Sequence, residues 1–180
     1  MKQNTWISCA KGVEIEIERI RKEEWVLVDI EGIRTTAKHS CNRKVCIGRK
    51  NGYDYTVIEA QPCYRYMELD EKYKKAHRYC KKFIHRLPFT PKRGHHKCKN
   101  TKELTKRYIG ECKLILYKGG VLEETLAEEI GCDAINIETI GVKKGKDLLH
   151  AHDPLMEIRD YYRQMKEICE RKRLDNMWVY

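Results

Sequence analysis

Trp25-Val26-Leu27-Val28-Asp29-Ile30-Glu31 is apolar on both faces until Asp29. A strand with one solvated face alternates apolar and polar residues, whereas a strand covered on both faces reads as a continuous apolar run. The stretch therefore predicts a strand buried inside a mixed sheet, with two acids at its far end. Side chains two apart on a strand leave the same face, so Asp29 and Glu31 stand close enough to share a divalent cation, Mg²⁺ or Mn²⁺. Acids also end strands merely to meet water, so the surrounding pattern has to decide between the two.

Upstream, Val13 to Glu18 alternates strictly between apolar residues and glutamates, which predicts an N-terminal β extension over residues 1–24. Downstream, Lys44 to Ile47 and Tyr53 to Ile58 are β-rich runs around Asn51-Gly52, a hairpin signal. From Asp70 to His85, Tyr73, Ala76, Cys80, Phe83 and Ile84 recur at helical spacing while lysines fill the other face. Leu87-Pro88-Phe89-Thr90-Pro91 ends that helix, Lys92 to Asn100 reads as a basic loop, and Thr101 to Tyr108 as a short helix. Lys113 to Tyr117, Val121 to Ile130 with Gly131 as its cap, and Ala134 to Ile137 form a β-α-β pattern. Pro154 suits the first turn of a terminal helix whose core stripe is Ile158, Tyr161, Tyr162, Met165 and Cys169. The expected architecture is α/β, a mixed β-sheet flanked by helices, in a single domain over residues 25–170 with a tail at 171–180.

A chain of 180 residues with 41% apolar and 36% charged residues and four prolines has enough apolar surface for one core. Its N-terminus carries no apolar run of signal-peptide length, and nowhere do about 18 apolar residues follow one another. No membrane association is expected. Nine cysteines at irregular spacing point to reduced thiols in a cytoplasmic or nuclear setting.

The formal charge of +10 is unevenly spread: residues 72–107 hold fourteen Lys or Arg and one acid, Glu103, so the rest of the chain is net negative. Such a concentration is the electrostatic footprint expected for a phosphate backbone, with Lys81, Lys82, Arg86, Lys92 and Arg93 as contact candidates. A lysine-rich solvated helix face is the plainer alternative. Tyr64, Tyr66, Tyr73, Tyr79 and Phe89 lie in or beside this segment and suit either base stacking or a core. Cys41-x4-Cys46 has tolerable zinc spacing, with His95, His96, Cys98 and Cys112 as further ligands for a structural Zn²⁺, while buried thiols are the plainer reading of Cys63, Cys80, Cys112 and Cys169. Lys118-Gly119-Gly120 resembles a phosphate-binding turn but lacks the spacing of a nucleotide-binding loop.

A strand bearing Asp29-Ile30-Glu31, a hairpin, a helix, a strand-helix-strand unit and a last helix preceded by His152 make up an order of parts. That order resembles the DEDDh 3′–5′ exonucleases of the ribonuclease H-like superfamily. In that family the first strand carries Asp-x-Glu, a second Asp follows a later strand, and the last motif is His, four residues, then Asp. Here His152 is followed by Glu157 in place of Asp, Glu123 stands near the expected second Asp, and Gly32 stands where the family has a small hydroxyl residue. The resemblance implies a ribonuclease H-like fold and two divalent cations held by Asp29, Glu31, Glu157 and Glu123. It also implies His152 as the base that deprotonates water, with Asp29, Glu31, His152 and Glu157 as the catalytic set acting on RNA or single-stranded DNA. His85 to Phe89 and Lys118-Gly119 are similar to exonuclease-like chains of invertebrate viruses and mobile elements. A degenerate domain of the same fold, binding nucleic acid or a partner without turnover, is the alternative.

Overall fold

In the computed structural model, which describes residues 3–84, 86–90, 96–143 and 154–177, Val26–Arg34 forms β1 and is buried without a break from Val26 to Glu31. β2 (Ser40–Arg49) runs antiparallel to β1, and β3 (Tyr55–Gln61) antiparallel to β2. Their connection turns at Asn51-Gly52: Gly52 takes φ +78°, and the Asn51 side chain accepts the N–H groups of Tyr53 and Asp54 at 2.9 and 3.1 Å. This is the local chemistry that the Asn-Gly signal announces. A two-residue strand, β4 (His96–Lys97), adds in parallel to β3. On the other side of β1 lie β5 (Leu114–Tyr117) and then β6 (Asp133–Asn136), both parallel. The sheet order is β4-β3-β2-β1-β5-β6.

Among the described residues five α-helices accompany the sheet: α1 (Gln3–Lys22), α2 (Glu71–Phe83), α3 (Thr101–Ile109), α4 (Val121–Ile130) and α5 (Pro154–Met177). The two-residue period of the strands sorts the core. Leu27, Cys46, Leu114 and Leu116 pack with Ile17 and Ile20 of α1 and Ile158, Tyr161 and Met165 of α5. Val26, Val28, Ile30, Val45 and Ile115 pack with Ile109 of α3 and with Leu126 and Ala127 of α4. The result is an α/β sandwich with helices on both sides of a mixed sheet. α2 packs separately at the end of β1, joining Ile33, Leu69 and Phe89 through Tyr73.

Three expectations are corrected. The N-terminal β extension is helical. Val13, Ile17 and Ile20 recur at helical spacing and turn inward, with Ile17 and Ile20 at 4% and 3% exposure, while Ile15 is 63% exposed, so a helical period underlies the apparent alternation. The separate tail is absent through Met177, because α5 continues to that residue. On α2 the inward residues are Tyr73 and His77, and Phe83 and Ile84 are exposed. His77 replaces the expected apolar stripe by packing its ring against Tyr66 and Phe89, at centroid distances of 5.9 and 5.3 Å. Among the described residues no helix is long and apolar enough to cross a membrane.

Candidate metal centre

Asp29 and Glu31 leave β1 on the face shared with Leu27, toward α5. The parallel ladder between β1 and β5 pairs Val26 with Ile115 and Leu27 with Leu116. β1 runs on past it, and the N–H of Ile30 donates to Glu123 Oε1 at 2.8 Å instead. Glu123 is in the first turn of α4 and 4% exposed.

The glycines that precede α4 make this approach possible. Gly119 adopts φ +61°, and its N–H donates to Asn136 Oδ1 at 3.1 Å, while Lys118 pairs with Glu138 at 2.8 Å. A Cβ on Gly120 would overlap the Glu123 carboxylate. Lys118-Gly119-Gly120 thus shapes the turn that lets Glu123 fold back toward β1. Gly32 serves a matching purpose, since a Cβ there would meet Leu122 Cδ1 at 2.6 Å.

Glu157 arrives from the first turn of α5 and is 1% exposed. One carboxylate oxygen each from Asp29, Glu31 and Glu157 lie within 4.8 Å of one another. Both helical glutamates occupy N-terminal turns, where the helix dipole favours negative charge. Even so, burial first, and then the charges of Glu157, Glu31 and Glu123, push the Asp29 carboxyl far above the ordinary carboxylate range. Burial also raises Glu123, against the backbone N–H groups that it accepts. Asp29 Oδ2 is a buried oxygen that no hydrogen-bond donor among the described residues reaches. Clustered buried carboxylates need either protons or a cation, and an all-oxygen donor set suits a hard divalent ion such as Mg²⁺ or Mn²⁺. The residues therefore fit the metal that the resemblance implies.

Two neighbours escaped the sequence reading. Lys44 is the cross-strand partner of Glu31, and the two-residue period puts it on the same face. The strand register is its only signal, and that emerges after folding. Tyr161, read as core, lies one turn beyond Glu157; burial and the charges of Glu157 and Asp29 raise its pKa, so the phenol stays protonated beside the cluster. Gly32, Leu122, Lys38, Ala76, His77 and Cys80 line a groove of about 440 Å³ between the end of β1, the start of α4 and α2; the four acids are not among its lining residues.

Of the basic contact candidates, Lys81 and Lys82 lie exposed on α2. Arg86 follows it, exposed and at φ +56°, a left-handed conformation uncommon for a side-chain-bearing residue. Lys92, Arg93 and His152 lie outside the described residues, as do His85 and His95. Tyr73 and Phe89 belong to the core, whereas Tyr79 and Phe83 are exposed and adjacent at 5.1 Å. The zinc spacing Cys41-x4-Cys46 does not form a pair: across the irregularity in the β1–β2 register the two cysteines stand opposite Ile33 and Asp29, four β1 residues or about 13 Å apart, and Cys46 lies in the α5-side core. Cys112 donates its thiol to backbone carbonyls of Glu24 and Leu114, away from Cys41. No known protein-family model matches the chain, and no curated protein sequence matches it.

Proposed function

We propose that this chain is a ribonuclease H-like, divalent-metal-dependent 3′–5′ exonuclease acting on RNA or single-stranded DNA. The observation that carries the reading is the convergence of Asp29, Glu31 and Glu157 on one point, with Glu123 bound to the backbone between the first two. Four acids from three separate stretches of sequence meet in a buried place where their mutual repulsion costs stability. A purely structural role would favour polar but uncharged residues there. The order of elements around β1 agrees with the order on which the family resemblance rests, and Glu123 and Glu157, which stand where that family has Asp, both lie in first turns of helices.

Asp29, Glu31, Glu157 and Glu123 would hold the ions. Divalent cations bound there would supply Lewis-acid stabilisation of a phosphodiester and would lower the pKa of an attacking water. The protein's own groups do the rest. Lys44 lends positive charge beside Glu31, and protonated Tyr161 offers a hydrogen-bond donor. His152, two residues before α5, takes the proton from water. The groove beside Gly32 and Leu122 receives the strand end, and the basic α2, with exposed Tyr79 and Phe83, guides the strand toward it.

The test is digestion of 5′-labelled single-stranded RNA and DNA by wild type, Asp29→Asn and His152→Ala, with Mn²⁺, Mg²⁺ or EDTA. A ladder shortening from the 3′ end, lost in EDTA and in Asp29→Asn, is expected. Degradation that survives either condition overturns the metal mechanism. Clean wild type that binds the strand without shortening it assigns the chain to the degenerate binding domain instead.

A further inference from the structure

A second group of metal-ligating side chains lies at the turn end of the β1–β2 hairpin. His39 ends the turn between β1 and β2, Cys41 lies in β2, Cys63 follows β3, and Cys98 opens the turn that leads into α3. One ligand atom each from His39, Cys41 and Cys63 lie within 4.8 Å of one another. Cys98 Sγ is 3.7 Å from Cys41 Sγ, and His39 Nδ1 is 3.9 Å from that same sulfur. Cys63 and Cys98 are paired as a disulfide, with their Cα atoms 6.0 Å apart.

A disulfide between Cys63 and Cys98 needs neither a third thiol nor an imidazole, yet both are gathered against it. Four soft or borderline donors, here from three separate stretches of sequence, are what a closed tetrahedral zinc centre requires. With Zn–S bonds of about 2.3 Å, ligand atoms at the corners of a tetrahedron lie about 3.8 Å apart, which the Cys98–Cys41 and Cys41–His39 separations match. Lys38, Lys99 and Lys102 line the cleft around the cluster and offset the negative charge of three thiolates on one Zn²⁺. The Thr35 hydroxyl lies 2.9 Å from His39 Nδ1 and also reaches the His39 carbonyl at 3.2 Å, so a metal bound at Nδ1 takes the place of the first of these contacts.

We infer that His39, Cys41, Cys63 and Cys98 form a structural Zn²⁺ site. The metal and the disulfide are alternative states of the same two sulfurs. A thiol reductant converts the Cys63–Cys98 bond into two thiols and is itself oxidised to a disulfide. Zn²⁺ then binds three thiolates and one neutral imidazole, releasing three protons from the thiols. Occupancy ties the β1–β2 turn, the exit of β3 and the start of α3 together. Cys63 and Cys98 are 35 residues apart in sequence, and the span between them contains α2, so the metal closes the base of the basic excursion.

The full chain, purified under a thiol reductant, is assayed for zinc by elemental mass spectrometry, and Co²⁺ is exchanged in for its spectrum. About one zinc per chain is expected, with the intense visible bands of tetrahedral Co²⁺ and near-ultraviolet thiolate charge transfer. Cys98→Ser and His39→Ala should lower zinc retention at least tenfold under chelator challenge, whereas Cys80→Ser and Asp29→Asn should retain it. Reduced wild type without zinc, or a pale octahedral Co²⁺ spectrum, overturns the site. So does zinc that persists in Cys98→Ser or disappears in Asp29→Asn. The wild-type measurements stand even where a variant fails to fold.

Discussion

Asp29 is 7% exposed, and the charges bearing on it most strongly are those of Glu157, Glu31 and Glu123. Its folded pKa is pushed from 3.8 up to about 9. The folded state therefore holds a proton that the unfolded chain releases at lower pH. This contribution to stability is complete below about pH 4 and is lost as pH rises toward 9. Metal-free protein should melt at progressively lower temperature from about pH 5 to pH 9, and added Mn²⁺ should raise the midpoint more at the alkaline end. Asp29→Asn removes the charge and keeps the shape, so it should flatten that pH slope and leave metal-free stability at alkaline pH equal to or above wild type. A gain of about 1 kcal/mol would appear as about 2–4 °C in a chain of this length. The same variant should lose roughly 100-fold or more in nuclease rate. Differential scanning fluorimetry across pH, with and without Mn²⁺, reads the first effect, and a lower midpoint for Asp29→Asn at alkaline pH refutes the repulsion argument.

At the level of elements, the start of α4 is the part most finely adjusted to the site. Gly120 has an ordinary φ of −123°, so backbone strain does not demand glycine there. Space demands it, because a Cβ would overlap the Glu123 carboxylate. Gly120→Ala should therefore displace Glu123 from the Ile30 N–H, leaving the α4 core residues Leu126 and Ala127 in place. The expected result is a cost of about 1 kcal/mol or less in stability and a loss of about tenfold or more in metal-dependent cleavage. Activity titrated against Mn²⁺ should show the deficit as a weaker apparent metal affinity. A Gly120→Ala protein with wild-type metal dependence would detach Glu123 from the centre. The same element shows why the Lys118-Gly119-Gly120 motif is misleading as a phosphate turn: its glycines serve a carboxylate.

For the molecule as a whole, charge is divided between two regions. The acids of β1, α4 and α5 converge in the interior, while the basic residues 72–107 lie on α2, on α3 and in the chain between them. On the proposed function, a negatively charged strand would be drawn to the second region and processed at the first only where cations screen the acids. Binding of single-stranded RNA or DNA should weaken steeply with salt. Neutralising Lys81, Lys82 and Arg86 together should reduce the log–log salt slope by about two, since each phosphate on a single strand that a basic side chain neutralises adds about 0.7 to it. Fluorescence anisotropy from low to moderate salt measures this, and an unchanged slope would make α2 a solvated helix face.

Local rules made much of the fold legible before the chain was folded. The continuous apolar run Trp25–Val28 marked a doubly covered strand, Asn51-Gly52 marked a hairpin, and Gly131 at φ +76° closes α4 where its capping role placed it. Each of these depends on residues within a few positions of one another. Val13 to Glu18 failed because six residues satisfy a two-residue and a helical period equally, and only packing of Ile17 and Ile20 beneath the sheet decides between them. The acids of the candidate site were visible as residue types, and Asp29 and Glu31 as a pair. That Glu123 reaches the Ile30 N–H, that Glu157 meets both, and that Lys44 stands opposite Glu31 follow from strand register and helix placement. Cys63 and Cys98 are likewise joined to His39 and Cys41 only in three dimensions. The sequence determines the alphabet and local geometry of each segment; proximity between distant segments exists only once burial of the two sheet faces has fixed where every segment ends.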